Sequence, residues 1–334
     1  KLGSQYERML RVRAIAGAIA DLIGADRAEA ERAATLAKAD LRTLMVGEFP
    51  ELQGIMGEYY AHHDKEPDDV ALAIREHYQP RYAGDALPST PVSLAVALAD
   101  KLETLVGLFG IGQLPTGEKD PFALRRHALG VLRMLIEKEL HVSLPEMIDA
   151  AWAAEREVPG VTDNRPALAE FFSDRLRVML RDRGATAQEA DAILALNLAK
   201  LADIPKRLAA VQAFMALPES EALSAANKRI GNILKKVEGH VEDVIDISNL
   251  KEDAEKRLFE ELSAIEPEAD VLYAEGRFEE MLVLIAKLRA PVDAFFESVM
   301  VNAEDPALRA NRLALLKRLY LVMNRVAEIA RLAK

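Results

Sequence analysis

The chain has 334 residues and no cysteine, which excludes disulfides, thiolate zinc sites and thiol nucleophiles and points to two domains, or three. Half of the residues are hydrophobic and only 5% aromatic; Ala and Leu lose little freedom on entering a helix, so the expected fold class is all-α. A formal charge of -11 argues against a broad nucleic-acid-coating surface while leaving room for local basic stripes.

In chain order, apolar periodicity from Tyr6 through Met9, Leu10, Ile15 and Ile19 stops at Gly24 and resumes over about 27–44. Because the chain starts at Lys1 in a helix already under way and without an initiator Met, it is expected to be a fragment or a processed product. Further helices are predicted from Phe49-Pro50 to Tyr60 and from Asp68 to Gln79, then after Thr90-Pro91, an N-cap with a first-turn proline. Glycines and prolines predict a loop over 107–121, and Asp120-Pro121 opens the next helix, whose exposed face carries Arg125, Arg126 and Arg133. Pro159-Gly160 marks a boundary, Thr186 and Glu189 fit a capping box, and Pro205 and Pro218 punctuate the helices beyond it. The remaining helices are expected to separate near Ser248-Asn249, Glu266-Pro267, Gly276, Pro291 and Asp305-Pro306. These breaks divide the chain into 1–158, 159–217 and 218–334. No apolar run approaches the ~20 residues that span a bilayer, and no secretion signal layout is present, so a cytoplasmic protein without membrane contact is expected.

Several stretches invite a chemical reading. Leu36-Ala37-Lys38-Ala39-Asp40-Leu41, then Glu48-Phe49-Pro50-Glu51-Leu52-Gln53-Gly54, then His77 and finally Asp100-Lys101 follow one another in an order that resembles HD phosphohydrolases. That family holds divalent metals with imidazoles and carboxylates converging from neighbouring helices. Lys38 or Ala39 stands where the resemblance places a histidine, Phe49 replaces another, and an ammonium has no lone pair to give a metal. The resemblance therefore implies a degenerate HD domain over about 28–106 with Lys38, Asp40, His77 and Asp100 at the remnant site, no metal, and His77 and Asp100 hydrogen-bonded within the core. The alternative is a working nucleotide phosphohydrolase using Asp40, His77 and Asp100 with a divalent ion. His62-His63-Asp64 contains the literal dipeptide but reads as an exposed helix end, and Gly112 to Gly117 lacks the P-loop lysine and reads as a connector.

Two basic stripes remain. Lys228, Arg229, Lys235 and Lys236 flank Asn232 on one predicted helix, and Arg309, Arg312, Lys317, Arg318 and Arg325 lie off the apolar stripe of the last helix. Either stripe alone reads more readily as a solvated face than as an RNA-binding one.

The run from Pro291 to Leu313, containing Asp305-Pro306-Ala307-Leu308-Arg309, resembles the anticodon-binding domain named for its Asp-Ala-Leu-Arg signature, with Pro306 departing from it. With Ala226 to Leu234 and Gly110 to Arg126, it is similar to the β subunit of bacterial glycyl-tRNA synthetase. The resemblance implies that these residues are the C-terminal part of a larger subunit. In it an HD-like domain (1–158), a helical connecting unit (159–217) and an anticodon-binding bundle (218–334) bind tRNA(Gly) without catalytic residues of their own. It also implies an α2β2 assembly with the rest of the β subunit and an α subunit, the latter using ATP and Mg²⁺. The residues expected to contact tRNA are Lys228, Arg229, Asn232, Lys235, Arg309, Asn311, Arg312 and Arg318, with Arg125, Arg126 and Arg133 near the acceptor arm or on the contact with preceding domains. Asn311, Glu304 and Asp305 are expected to face the exocyclic amines of the anticodon cytosines.

Overall fold

The computed structural model describes residues 1–333. Among these residues there are sixteen α-helices and no strand, so the chain is all-α. They are α1 Gln5–Ile23, α2 Arg27–Leu36, α3 Leu44–Glu48, α4 Ile55–His63, α5 Asp68–Glu76, α6 Pro91–Gly110, α7 Leu124–Glu137 and α8 Leu144–Glu155. Then come α9 Arg165–Asp182, α10 Ala187–Leu194, α11 Ile204–Met215, α12 Ser220–Lys235, α13 Asp253–Ala274, α14 Phe278–Ala286, α15 Arg289–Ser298 and α16 Pro306–Met323. None is long and apolar enough to cross a membrane. The helices form two compact units, one of residues 1–179 with 199–202, the other of 180–198 with 203–334.

The first unit is built around α6. Thr90 accepts a hydrogen bond from the Ser93 amide at 3.1 Å and Pro91 fills the first turn, starting the helix where the sequence places it. It is buried on every side, as a core helix is, and α1, α2, α5, α7 and α8 pack around it. Ile15, Ile19, Leu98, Leu102, Leu105 and Phe109 fill the interior. The predicted loop at Gly107 does not begin there, because α6 continues to Gly110. Gly107 serves a packing purpose instead: a Cβ at this position would lie 2.5 Å from a carboxyl oxygen of Glu155 at the end of α8.

Elsewhere in this unit the boundaries shift for local reasons. The helix expected over 27–44 ends at Leu36, and a 3-10 turn at Ala39–Arg42 reorients the chain. The helix expected from Asp120-Pro121 starts at Leu124, since both Asp120 carboxyl oxygens accept amide hydrogens from Leu124 and Arg125 at 2.8 and 2.9 Å, acting as a cap.

The second unit packs α12 against α15, α16 and a 3-10 turn at Ile329–Leu332, and α13 against α14, α15 and α16. Leu258, Leu262, Met281, Ile285, Phe295, Leu315 and Leu319 are fully buried there. The capping box at Thr186 and Glu189 is present with both reciprocal bonds. The break expected at Glu266-Pro267 is absent: Pro267 lies inside α13, which runs 22 residues without interruption. Packing of α13 along α14, α15 and α16 outweighs the missing amide, whose partner would have been the Ser263 carbonyl.

Glu155 is fully buried, neither of its carboxyl oxygens finds a hydrogen-bond partner, and Glu103 adds like charge nearby. Burial first, and then Glu103, push its carboxyl up to about 8. The folded state thus keeps a proton that the unfolded chain releases near its ordinary carboxyl value, so this group costs stability as pH rises from about 5 to 8. Glu155→Gln removes the titration. Urea midpoints of the variant should fall markedly less than wild type between pH 6 and pH 8; equal pH dependence would show Glu155 to be ionised in the fold.

Candidate functional site

Three of the residues expected at a remnant metal site, Lys38, His77 and Asp100, come together at the core of the first unit. Lys38 follows α2, His77 caps the C-terminus of α5, and Asp100 comes from α6. His77 is fully buried and its Nδ1 lies 2.6 Å from the Ile74 carbonyl, which can only accept, so Nδ1 carries the proton and Nε2 presents its lone pair. That lone pair accepts from the Lys38 ammonium at 2.8 Å. The same ammonium lies 3.5 Å from Asp100 Oδ1 and 4.2 Å from the centre of the Tyr78 ring, so imidazole, carboxylate and aromatic face all converge on it. Burial and then the Lys38 charge push His77 down to about 3, leaving it neutral. Burial by itself would raise the Asp100 carboxyl, but Lys38 and Arg8 outweigh it and hold this group well below the usual carboxylate range.

This donor set does not fit a divalent metal. The imidazole lone pair a metal would need is taken by a cation of the chain itself, and among the described residues no three His, Cys, Asp or Glu side chains gather to hold an ion. Nor is Asp40 part of the cluster's hydrogen bonding. Its Oδ2 accepts the amides of Gly54 and Gly57 at 2.6 and 3.1 Å and so caps α4 from outside, where the helix start offers no side-chain cap of its own. His62 and His63 end α4 in exposed positions beside Asp68 and Asp64. The phosphohydrolase alternative finds no support in this chemistry.

Sequence reasoning missed the arginines that complete the cluster. From α1, Arg8 reaches Glu103 at 2.7 Å and Asp100 at 2.9 Å, while Arg11 reaches Glu103 at 2.7 Å. Lys101, next to Asp100 on α6, donates to the Gln79 carbonyl at 2.8 Å, and burial lowers its ammonium to about 8. A signal was present: Asp100, Lys101 and Glu103 interrupt an otherwise apolar core helix, and buried charges demand partners. Over the cluster lies a cavity of about 320 Å³ walled by Met9, Val12, Ala37, Leu41 and Val96.

In the second unit the residues expected to face RNA divide sharply. Arg312 is buried, paired with Glu255 of α13 and donating to the Met300 carbonyl at 2.7 Å. Asn311 is buried as well; its amide accepts from the Asp246 amide at 2.7 Å and donates to the Asp246 carbonyl at 3.0 Å, fastening the loop after α12. Arg318 pairs with Glu266 and Arg325 with Asp270. Asp305 is the N-cap of α16, its Oδ1 accepting from Ala307 at 2.8 Å. These side chains therefore hold helices and loops together, for a reason invisible in α16 alone: the facing surface of α13 is acidic.

By contrast Lys228, Arg229, Lys235 and Lys236 are exposed, and none pairs with a carboxylate among the described residues. Lys228, Arg229 and Lys236 line, with Asn232, a cleft of about 540 Å³ on α12, and the Arg229 guanidinium stands 4.2 Å from the centre of the Phe296 ring. Arg309 is exposed, with only the Ala303 carbonyl at 3.5 Å. In the first unit Arg126 is exposed, and Arg125 donates to the Gly117 carbonyl at 2.5 Å.

The remnant centre yields a direct test. Lys38→Met leaves the His77 lone pair without a partner and Asp100 with Arg8 alone, which should destabilise the chain by about 1–3 kcal/mol in urea unfolding. Zinc or manganese titrated into wild type should leave its unfolding midpoint unchanged; a metal-dependent rise would refute the reading.

Residues 1–195 match the family model for the glycyl-tRNA synthetase beta subunit, and 223–329 match the DALR anticodon binding domain. Over its whole length the chain is 59% identical to proteins named glycine–tRNA ligase beta subunit from Leptothrix cholodnii and from a Janthinobacterium species. It is 58% identical to the one from Dechloromonas aromatica. The chain spans about half the length of these curated relatives, 47 to 48%. With a family match over more than half of its residues, the chain belongs to the glycyl-tRNA synthetase beta subunit family.

Proposed function

We propose that this chain is a tRNA-binding part of a glycine–tRNA ligase beta subunit, positioning tRNA(Gly) for ATP-dependent aminoacylation at an α subunit in an α2β2 enzyme of the cytoplasm. The single observation that carries this reading is the unneutralised cluster of Lys228, Arg229, Lys235 and Lys236 on α12, within the stretch that matches an anticodon-binding domain. In a chain of charge -11, where Arg312 and Arg318 of α16 are spent on carboxylates of α13, cations left unpaired around an open cleft are suited to phosphate. Arg309 and Arg126 extend the exposed basic surface of their own units. The division into an HD-like part (1–158), a connecting unit (159–217) and an anticodon-binding bundle (218–334) belongs to the same reading. Within it the chain supplies binding and placement. ATP and Mg²⁺ act at the α subunit.

Fluorescence anisotropy with labelled tRNA(Gly) across a salt series tests this. Lys228→Ala and Lys235→Ala should each weaken binding and lower the salt slope by about one, the value of a lost phosphate contact. Arg318→Ala, which removes an internal ion pair, should lower the unfolding midpoint and leave the slope alone. If the wild-type chain bound no tRNA even at low salt, it would be a scaffold joining subunits rather than an RNA-binding part.

A further inference from the structure

The cavity over the Lys38 cluster has the make-up of a ligand pocket. At about 320 Å³ it lies at the lower end of the roughly 300–1,000 Å³ that small-molecule sites span. Val12, Ala34, Ala37 and Val96 line it as buried apolar walls, and Tyr6 and Leu41, both exposed, stand at its edge. The ionised side chains around it are unequal in sign: Arg8, Lys38 and Arg42 against Asp100 alone. His77 is neutral there, and Asp100 is already covered, 2.9 Å from Arg8 Nη2 and 3.5 Å from the Lys38 ammonium. Arg8 spends its Nε on Glu103 and its Nη2 on Asp100 and Thr104, but its Nη1 bonds nothing among the described residues. Arg42 is exposed and has no partner among them at all.

We propose that this cavity binds a small organic anion, an acidic group on an apolar body, with Arg8 and Arg42 holding the acid and Val12, Ala37 and Val96 enclosing the body. The site lies within the first unit and does not depend on RNA binding by α12. A cation bordering an apolar cavity attracts an anion more strongly than it would in open water, because less solvent screens it. Free guanidinium N–H groups form charge-assisted hydrogen bonds with a carboxylate or a phosphate alike. The body adds affinity by leaving water for the apolar walls. A neutral apolar molecule would gain only the burial, and an inorganic anion only the charge. Lys38 contributes its charge to the lining while keeping its bond to His77 and its place beside Asp100.

Calorimetric titration of the full-length subunit with octanoate and with octyl phosphate, beside octanamide, butyrate and inorganic phosphate, tests the site. One or both octyl anions should bind one to one, and whichever binds tighter identifies the acidic group. Octanamide should bind about tenfold more weakly, for want of the charge. Each methylene added between butyrate and octanoate should tighten binding by up to about fourfold. Arg42→Ala changes an exposed residue without partners, so it should keep the fold, weaken the octyl anions about fivefold and leave octanamide unchanged. Ala37→Leu, which fills part of the cavity, should weaken anions and amide together. If neither octyl anion binds, if octanamide binds as tightly as they do, or if Arg42→Ala leaves their affinity unchanged, the assignment is overturned.

Discussion

The first unit depends on solving a problem that α6 creates. A helix buried on all sides carries Asp100, Lys101 and Glu103, and charges withdrawn from water destabilise a fold unless each meets an opposite charge or a well-placed dipole. The solution recruits three other segments. Arg8 and Arg11 enter from α1, Lys38 from the turn after α2, and the carbonyls after α5 receive Lys101. The network therefore does what the apolar core alone cannot: it specifies which helix faces which, because a rotated α1 or α2 would strand a carboxylate in the interior. Glu155, close to Glu103 and lacking a partner, is the residue left over from this arrangement, and it stays protonated as a result.

The second unit applies the same electrostatics to a different end. Helix α16 is rich in arginine, but Glu255 and Glu266 on α13 absorb its Arg312 and Arg318, and Asp270 of the same helix absorbs Arg325 just beyond its end. What remains to attract an external anion is decided by subtraction, and the cations of α12 are left over. A net charge of -11 is compatible with RNA binding for this reason. The acidic residues are spent inside the helix pairs and elsewhere on the surface, and the basic ones at the cleft are not.

Much of the architecture was legible in the sequence because helix punctuation is local chemistry. Gly24 stops α1, Thr90-Pro91 starts α6, and Thr186 with Glu189 starts α10, each by rules that involve only neighbouring residues. The failures have the opposite character. Pro267 did not break α13 and Gly107 did not end α6, in each case through packing against segments far along the chain, while the helix after Arg27 stopped at Leu36 where a 3-10 turn reorients the backbone. The candidate site shows the same split. The order of the HD-like segments located Lys38, His77 and Asp100, which do meet, yet nothing in the spacing showed that Asp40 turns away to cap α4. Helical spacing likewise put Arg312 and Asn311 beside Arg309, and only the position of α13 and the loop at Asp246 separates the buried pair from the exposed one.

The ammonium at the heart of the remnant centre also changes what the module depends on. A metal occupies its site in proportion to its concentration and can be withdrawn by a chelator or displaced by a competitor. A cation joined to the backbone by its own side chain arrives with folding, in fixed ratio to its ligands, and cannot be exchanged. The cost is catalytic: such a charge cannot polarise a bound water or turn over a phosphate ester. The gain is that the geometry of α1, α5 and α6 is indifferent to metal supply, so an RNA-positioning surface built on it would keep its shape whether the cell is replete with divalent ions or starved of them.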